Sequence, residues 1–429
     1  MIPKSFSISN PPSGEGNRPG VSRREALSAI GGAAAAALVS SAIPSLLFAR
    51  PASPAQNPDW FGFNLLEYFS TDPDWMKYFP YKDDGLFPED DFRWIQEWGF
   101  NWVRLPMDYR FWTDPADYFK IDEKKIAPID RAVRLGEKYG VHVNISLHRA
   151  PGFCILDTMD EKLTGIHITR EKLDVFTDPK ALDAFVYQWT FFAERYKGIS
   201  SDRLSFNLVN EPFLPPSSPA EARAIFTSHD IFADRALWLP GEQKYARVAR
   251  AAVNAIRAKD PSRLIVTDGY LAGTIPVPGL YDTGILQSAH DYNPALLTHY
   301  HCEWARGFVP LDSPLPAWPL KDAAGKVIAD PATIAAAYAP WKSLPAQGVP
   351  IHFGEMGCYK HTPPEVVYAW FGASLDMIRS LHSGFALWNF RGPFGVLDTG
   401  RPGTNFEDWH GHKLDRTLLK ILQDHTKNS

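Results

Sequence analysis

The 429-residue chain contains only three cysteines, Cys154, Cys302 and Cys358. An odd and small count excludes full pairing within one chain and a disulfide-built scaffold. One bridge is possible, and buried or cleft-lining thiols fit the composition better. A basic excess is also missing: 44 Lys and Arg face 49 Asp and Glu, for a formal net charge of −5. A nucleic-acid surface needs a clustered positive patch, so this balance argues against such a partner. Beyond Pro51 no apolar run is long enough to span a bilayer, so stable membrane insertion of the mature chain is not expected. No Gly-x-Gly-x-x-Gly follows the first apolar segment, which counts against a dinucleotide site. Linkers rich in Ser, Gly or Pro, internal repeats and a second module after the last helical segment are absent too, which points to one large domain.

Aromatic residues are plentiful instead. The chain has 14 Trp, 16 Tyr and 27 Phe within an otherwise ordinary composition of 45% hydrophobic and 22% charged residues. Most aromatics fill cores. A surplus also suits a sugar-binding cleft, because the C–H faces of pyranose rings lie against flat side chains. At the N-terminus, Ser22-Arg23-Arg24 precedes a run from Ala26 to Ala49 made of small or apolar residues. This resembles a bacterial twin-arginine export signal, with Ala26 where that pattern usually has Phe. Residues 1–50 are therefore expected to be a leader, cleaved after Ala42 or Ala49, with export to the periplasm or beyond. Residues 51–429 are left as the catalytic domain; a retained N-terminal anchor is the alternative.

From Trp60 onward short apolar runs alternate with longer amphipathic ones. Strands are predicted at Trp60–Tyr68, Asn101–Met107, Val141–His148, Leu204–Asn210, Leu264–Asp268, Ile285–His290, Val349–Glu355 and Gly384–Asn389. Most are too continuously apolar to have one wet face, as parallel strands covered on both sides should be. Helical patterns lie between them at Glu89–Trp98, Asp122–Tyr139, Asp178–Tyr196, Gly241–Lys259, Pro331–Leu344 and Pro363–His382, and Lys413–Asp424 closes the chain. Gly99 and Gly140 sit where helix C-caps belong. The connection after the fifth strand shows no clear helix. Eight β-segments alternating with helices favour an α/β architecture of the closed (β/α)8 TIM-barrel kind, a single domain with an insertion, Ala295–Asp330, after strand six.

Chemistry in such a barrel sits where strands end and loops begin. Six strand ends carry polar or ionisable residues: Arg104, His148, Asn210-Glu211, His290-Asp291-Tyr292, Glu355 and Trp388-Asn389. Aiming such residues at one mouth is costly unless they do something. Glu211 and Glu355 fall on strands four and seven, across the mouth from one another. Glycoside cleavage needs such a pair, one carboxyl to protonate the leaving oxygen and one to attack or support C1. A cation such as Arg104 and a hydroxyl such as that of Tyr292 would keep the second one ionised.

At these residues the chain resembles glycoside hydrolase family 5, the cellulase-like retaining barrel enzymes. That family's pattern places Arg after strand two, His after three, Asn-Glu after four, His-x-Tyr after six, Glu after seven and Trp after eight. Arg104, His148, Asn210 with Glu211, His290 with Tyr292, Glu355 and Trp388 match it in order. The resemblance implies Glu211 as acid/base and Glu355 as nucleophile. It further implies Asn210 on the sugar 2-hydroxyl, Tyr292 and Arg104 steadying Glu355, His148 and His290 against sugar or carboxylates, and Trp388 as floor of the sugar site. A β-linked oligosaccharide or polysaccharide is the implied substrate, β-1,4-glucan first and mannan or other β-glycans next. The reaction requires no cofactor.

Other readings stand beside this one. His299-Tyr300-His301-Cys302-Glu303 has the look of metal ligands, but no further ligand spacing follows and the first strand offers Asn64 and Glu67 without a histidine, so no metal is expected. Trp60, Trp75, Trp112, Trp304 and Trp318 are candidate sugar platforms that core or lid packing would explain equally well. The stretch from His148 to Phe153 and the insertion after strand six are expected to narrow the cleft. An exo-acting β-glycosidase or β-mannanase on short oligosaccharides is thus the alternative to an endo-glucanase, with transglycosylation by the same residues and a non-catalytic glycan-binding barrel behind it. Nothing in the sequence sets an oligomeric state.

Overall fold

The computed structural model describes residues 55–79, 86–158, 161–214 and 234–427; the leader-like segment 1–50 lies outside them. Eight strands run parallel: β1 (Phe61–Asn64), β2 (Trp102–Asp108), β3 (His142–Ala150), β4 (Leu204–Asn207), β5 (Leu264–Asp268), β6 (Leu286–Asp291), β7 (Ile351–Met356) and β8 (Phe385–Leu387). Each pairs with the next, and β8 pairs with β1 through Phe61 opposite Phe385, so the sheet closes into a barrel. Closure leaves no strand edge, and nearly every strand residue is buried, which accounts for the unbroken apolar runs.

The main helices are α1 (Glu89–Glu97), α2 (Glu123–Tyr139), α3 (Pro179–Arg195), α4 (Arg235–Lys259), α5 (Pro331–Ala337), α6 (Pro364–Ser380) and α7 (Arg416–Lys427). Their ends follow local chemistry. Asp122 and Asp178 accept from the backbone N–H of Lys124 and Lys180 at the starts of α2 and α3, and Gly140 takes the left-handed conformation (φ 68°) that stops α2. Asp330 and Thr333 form a reciprocal capping box on α5.

The differences from expectation have local causes. The first strand stops at Asn64 rather than Tyr68, because Phe69 N–H folds back to Leu66 C=O in a turn. The strand carrying Arg104 continues to Asp108, and β3 runs two residues past His148, where Arg149 and Ala150 pair with Phe153–Cys154. Helix α4 begins at Arg235, before the expected Gly241, and passes through Pro240; burial of Trp238 against the core offsets the lost backbone bond. The segment expected as one helix over 331–344 is α5 followed by a tighter 3₁₀ turn, Ala339–Ser343, that starts around Pro340. The last helix begins at Arg416, since His412–Leu414 pairs antiparallel with Glu407–Trp409. The insertion holds two short helical turns, Ala295–Thr298 and Glu303–Ala305, and a small hairpin, Leu320–Lys321 with Val327–Ala329. All three cysteines are free and buried. No helix among the described residues is long and apolar enough to cross a membrane.

Candidate active site

Arg104, the third residue of β2, points into the barrel and is 1% exposed. Its guanidinium has five N–H groups, and five acceptors meet them. Nε donates to Asn207 Oδ1 (2.8 Å), Nη1 to Asn64 Oδ1 (3.1 Å) and Glu355 Oε1 (2.6 Å), and Nη2 to Asn210 Oδ1 (2.7 Å) and Asp268 Oδ2 (3.4 Å). Strands β1, β2, β4, β5 and β7 are thereby tied to one cation, which sits inside the barrel instead of at the strand end.

Glu355, on β7, is buried with both oxygens engaged. Oε1 takes the Arg104 bond and Oε2 accepts from the Tyr292 hydroxyl (2.9 Å). Glu211 lies four residues past the end of β4 with φ +48°, a left-handed backbone that costs a non-glycine residue about 1–2 kcal/mol. Its backbone N–H is fastened to Asp268 Oδ2 (3.0 Å), and its side chain keeps some access to solvent. His290, on β6, joins the pair: Nδ1 lies 2.9 Å from Glu211 Oε1 and 3.6 Å from Glu355 Oε2, while Nε2 faces Asp268 Oδ2 at 3.3 Å. One side-chain atom each of Glu211, His290 and Glu355 lie within 4.8 Å of one another.

Burial sets the electrostatics. By itself it would keep His290 neutral, but the carboxylates of Glu355 and Asp268 outweigh it and push the imidazole up to about 10. Asp268 is also penalised by burial, yet His290 and Arg104 hold it down at about 2. Burial raises the Glu355 carboxyl above the ordinary glutamate value, against the opposing pull of His290 and Arg104. Tyr292 is raised far above the usual phenol range by burial and then by Glu355 and Glu211, so it stays a hydrogen-bond donor. Among the described residues, Glu211, His290 and Glu355 are also the one trio close enough to hold a metal ion. His299 and His301 diverge: the former packs against Tyr292 and Phe394, the latter against Tyr300.

Of the other residues named from sequence, Asn210 is in the network through Oδ1, while its buried Nδ2 has no protein partner. His148 and Trp388 lie together at the mouth, rings stacked at 5.5 Å and 23°. His148 is held neutral by burial and then by Arg104 and His290, and its Nδ1 has no hydrogen-bond partner. Two platform candidates are corrected. Trp60 precedes β1 and stacks with Trp102 and His142 at the opposite end of the barrel, and Trp112 is core, bonded through Nε1 to Gln188. Trp318 packs on the main core, and Trp75 and Trp304 meet at the mouth. Arg149, expected to narrow the cleft, turns away into ion pairs with Asp72, Asp108, Asp157 and Glu171 that fasten the loops after β1, β2 and β3.

Sequence reasoning missed Asp268, Asn207 and Asn64. Asp268 carries a readable signal: it is the charged last residue of β5. Asn64 and Asn207 look like ordinary strand residues until the barrel closes around Arg104.

The closed parallel barrel thus brings two glutamates and a histidine together above a saturated arginine, a grouping that holds the paired carboxyls glycoside cleavage requires. The model for Cellulase (glycosyl hydrolase family 5) matches residues 55–392. A solved structure described as a glycoside hydrolase is 35% identical with a TM-score of 0.70, covering 85% of this chain and 99% of that one. The chain belongs to glycosyl hydrolase family 5. Endoglucanase C of Acetivibrio thermocellus is 25% identical over 226 residues, 52% of this chain and 55% of that protein. Cellodextrinase A of Ruminococcus flavefaciens is 25% identical over 231 residues, 53% of this chain and 57% of its own length. The chain thus spans about half the length of these curated relatives.

Proposed function

We propose that the protein hydrolyses β-glycosidic bonds with retention of configuration, with Glu355 as nucleophile and Glu211 as acid/base. The observation that carries this reading is the close approach of the two carboxyl groups, one oxygen of Glu211 lying within 4.8 Å of one oxygen of Glu355. A retaining pair stands about 5–5.5 Å apart, whereas an inverting pair needs about 6.5–9.5 Å to admit a water. In the first step a Glu355 oxygen attacks C1 while Glu211 gives its proton to the departing glycosidic oxygen. In the second, Glu211 takes a proton from water as that water displaces Glu355 from C1, returning both residues to their starting states. Arg104 and Tyr292 orient the Glu355 oxygens and stabilise its charge.

Asn210 Nδ2, a buried donor without a protein acceptor, is placed to serve a sugar hydroxyl, and Trp388 with His148 supplies the apolar wall beside it. The names of the curated relatives support β-linked glucans or related oligosaccharides as substrates. We also propose that residues 1–50 direct export.

Hydrolysis followed by proton NMR tests the mechanism: the first-formed sugar should carry the β-anomeric signal, and an α-anomer formed first would refute retention. Glu355→Gln should lower kcat by at least about 10³-fold with binding preserved; near-normal turnover would remove Glu355 from the role.

A further inference from the structure

An aromatic side chain that supports a sugar offers it an open ring face, and several rings at this mouth have none. Phe69, Trp75 and Phe79, from the segment after β1, are 2%, 3% and 3% exposed. They close on one another edge to face: Phe69 meets Trp388 at 5.3 Å and 66°, and Phe79 meets it at 6.1 Å and 74°. Trp75 meets Trp304 of the insertion at 5.1 Å and 70°, and Trp304 meets Tyr359, after β7, at 4.9 Å. Segments after β1, β6, β7 and β8 are so joined into an apolar cluster distinct from the barrel core, and the segment after β3 adds Leu156, Ile166 and Ile168. Edge-to-face contacts of this kind stabilise rings by packing, and burial this deep leaves Phe69, Trp75 and Phe79 no open face for a sugar.

The cap has a side. In the circuit of eight strands β8 lies opposite β4, with β1 and β7 flanking β8. If Glu211, beyond β4, protonates the leaving oxygen, the aglycone departs toward β4 and β5. The sugar bonded to Glu355 then turns its non-reducing end toward β7, β8 and β1, where the cap stands. Contact is immediate, since Phe69 lies 4.5 Å from the His148 ring and against Trp388.

We infer that the aromatic cap of Phe69, Trp75, Phe79 and Trp304 leaves room for a single glycone sugar, so that the enzyme removes one sugar at a time from the non-reducing ends of β-linked oligosaccharides. This rests on the assignment of Glu211 and Glu355 above. Each turnover breaks the terminal C1–O bond, consumes one water and leaves a monosaccharide and a chain one unit shorter. Admitting a second glycone sugar would require parting rings that now bury one another.

The test uses the full chain on matched 4-nitrophenyl β-glycosides of glucose and cellobiose, mannose and mannobiose, and xylose and xylobiose, with initial products separated by chromatography. A disaccharide glycoside should first give monosaccharide and nitrophenyl monosaccharide, with this cleavage at least about tenfold faster than direct release of nitrophenol and disaccharide. Direct disaccharide release as the main first event would overturn the inference while leaving the glycosidase reading intact. Cleavage of no pair by a folded protein would remove the glycosidase reading, and this inference with it. Trp304→Ala, at the half-buried rim, and Trp75→Ala, checked by thermal melting, should each raise the share of direct disaccharide release. A folded variant of both with unchanged products would show that the cap is not the block.

Discussion

At the scale of single residues, Arg104 is the constraint from which the site is built. Its five donors meet five acceptors from four other strands, so lysine, with three donors on a flexible stem, cannot replace it. Arg104→Lys should cost about 2–3 kcal/mol of stability by denaturant unfolding and lower kcat as well, because buried Asn and carboxylate acceptors lose their partners. Asp268 is a positioning residue: it holds the Glu211 backbone N–H and faces the His290 imidazole. Asp268→Asn keeps the shape but removes the charge that helps raise His290. It should lower kcat about 10–100-fold with little change in KM, and move the alkaline limb of the kcat profile to lower pH. A purely structural role would lower the melting temperature without moving that limb.

At the scale of elements, barrel closure depends on two glycines at the opposite end from the site. A Cβ on Gly62 would stand 1.7 Å from the Trp102 carbonyl oxygen, and one on Gly384 would stand 1.9 Å from that of Trp60. Both obstacles are backbone, which cannot rotate away. Gly62→Ala or Gly384→Ala should therefore cost more than about 3 kcal/mol, read as a lowered denaturation midpoint or as failure to fold. Strand identities were legible from apolar runs, and helix ends from Asp, Gly and Pro, because these depend on neighbours in sequence. The end of β1, the start of α4 and the pairing of the C-terminal hairpin were not, since each is decided by a turn or a packing partner elsewhere.

At the scale of the whole molecule, the buried ionisable groups set a pH window. Burial keeps His142 down at about 4 and His352 at about 3, at the barrel end away from the site. Their folded values lie below the ordinary 6.5, so the unfolded chain binds more protons in acid, and the stability they contribute is lost as pH falls from about 6.5 through 4. For His142 this amounts to of order 3 kcal/mol. His290 has the opposite sign: raised to about 10, it contributes fully below 6.5 and its share is lost as pH rises through 10. Asp268, depressed to about 2, contributes above its ordinary value of 3.8 and is lost toward 2. Melting temperature should peak near pH 6.5–7 and fall on both sides, and His352→Gln should make the acid side shallower. An unchanged slope between pH 4 and 6.5 in that variant would exclude His352 as a source.

The sequence by itself determined the alternation of strands and helices, and it placed Glu355 near the end of one strand and Glu211 just beyond another, because periodicity and strand termini are properties of neighbouring residues. It also carried the order of Arg104, His148, Asn210, His290, Tyr292 and Trp388, which was enough to name the family resemblance. Only the tertiary structure decided that Asn64, Asn207 and Asp268 converge on Arg104 and His290, that Arg149 is a loop fastener, and that Trp60 and Trp112 serve packing. It alone decided, too, that rings from four separate loops seal one side of the mouth. Those outcomes depend on contacts between residues tens to hundreds of positions apart, and closure of the barrel is what brings them within hydrogen-bonding and van der Waals range.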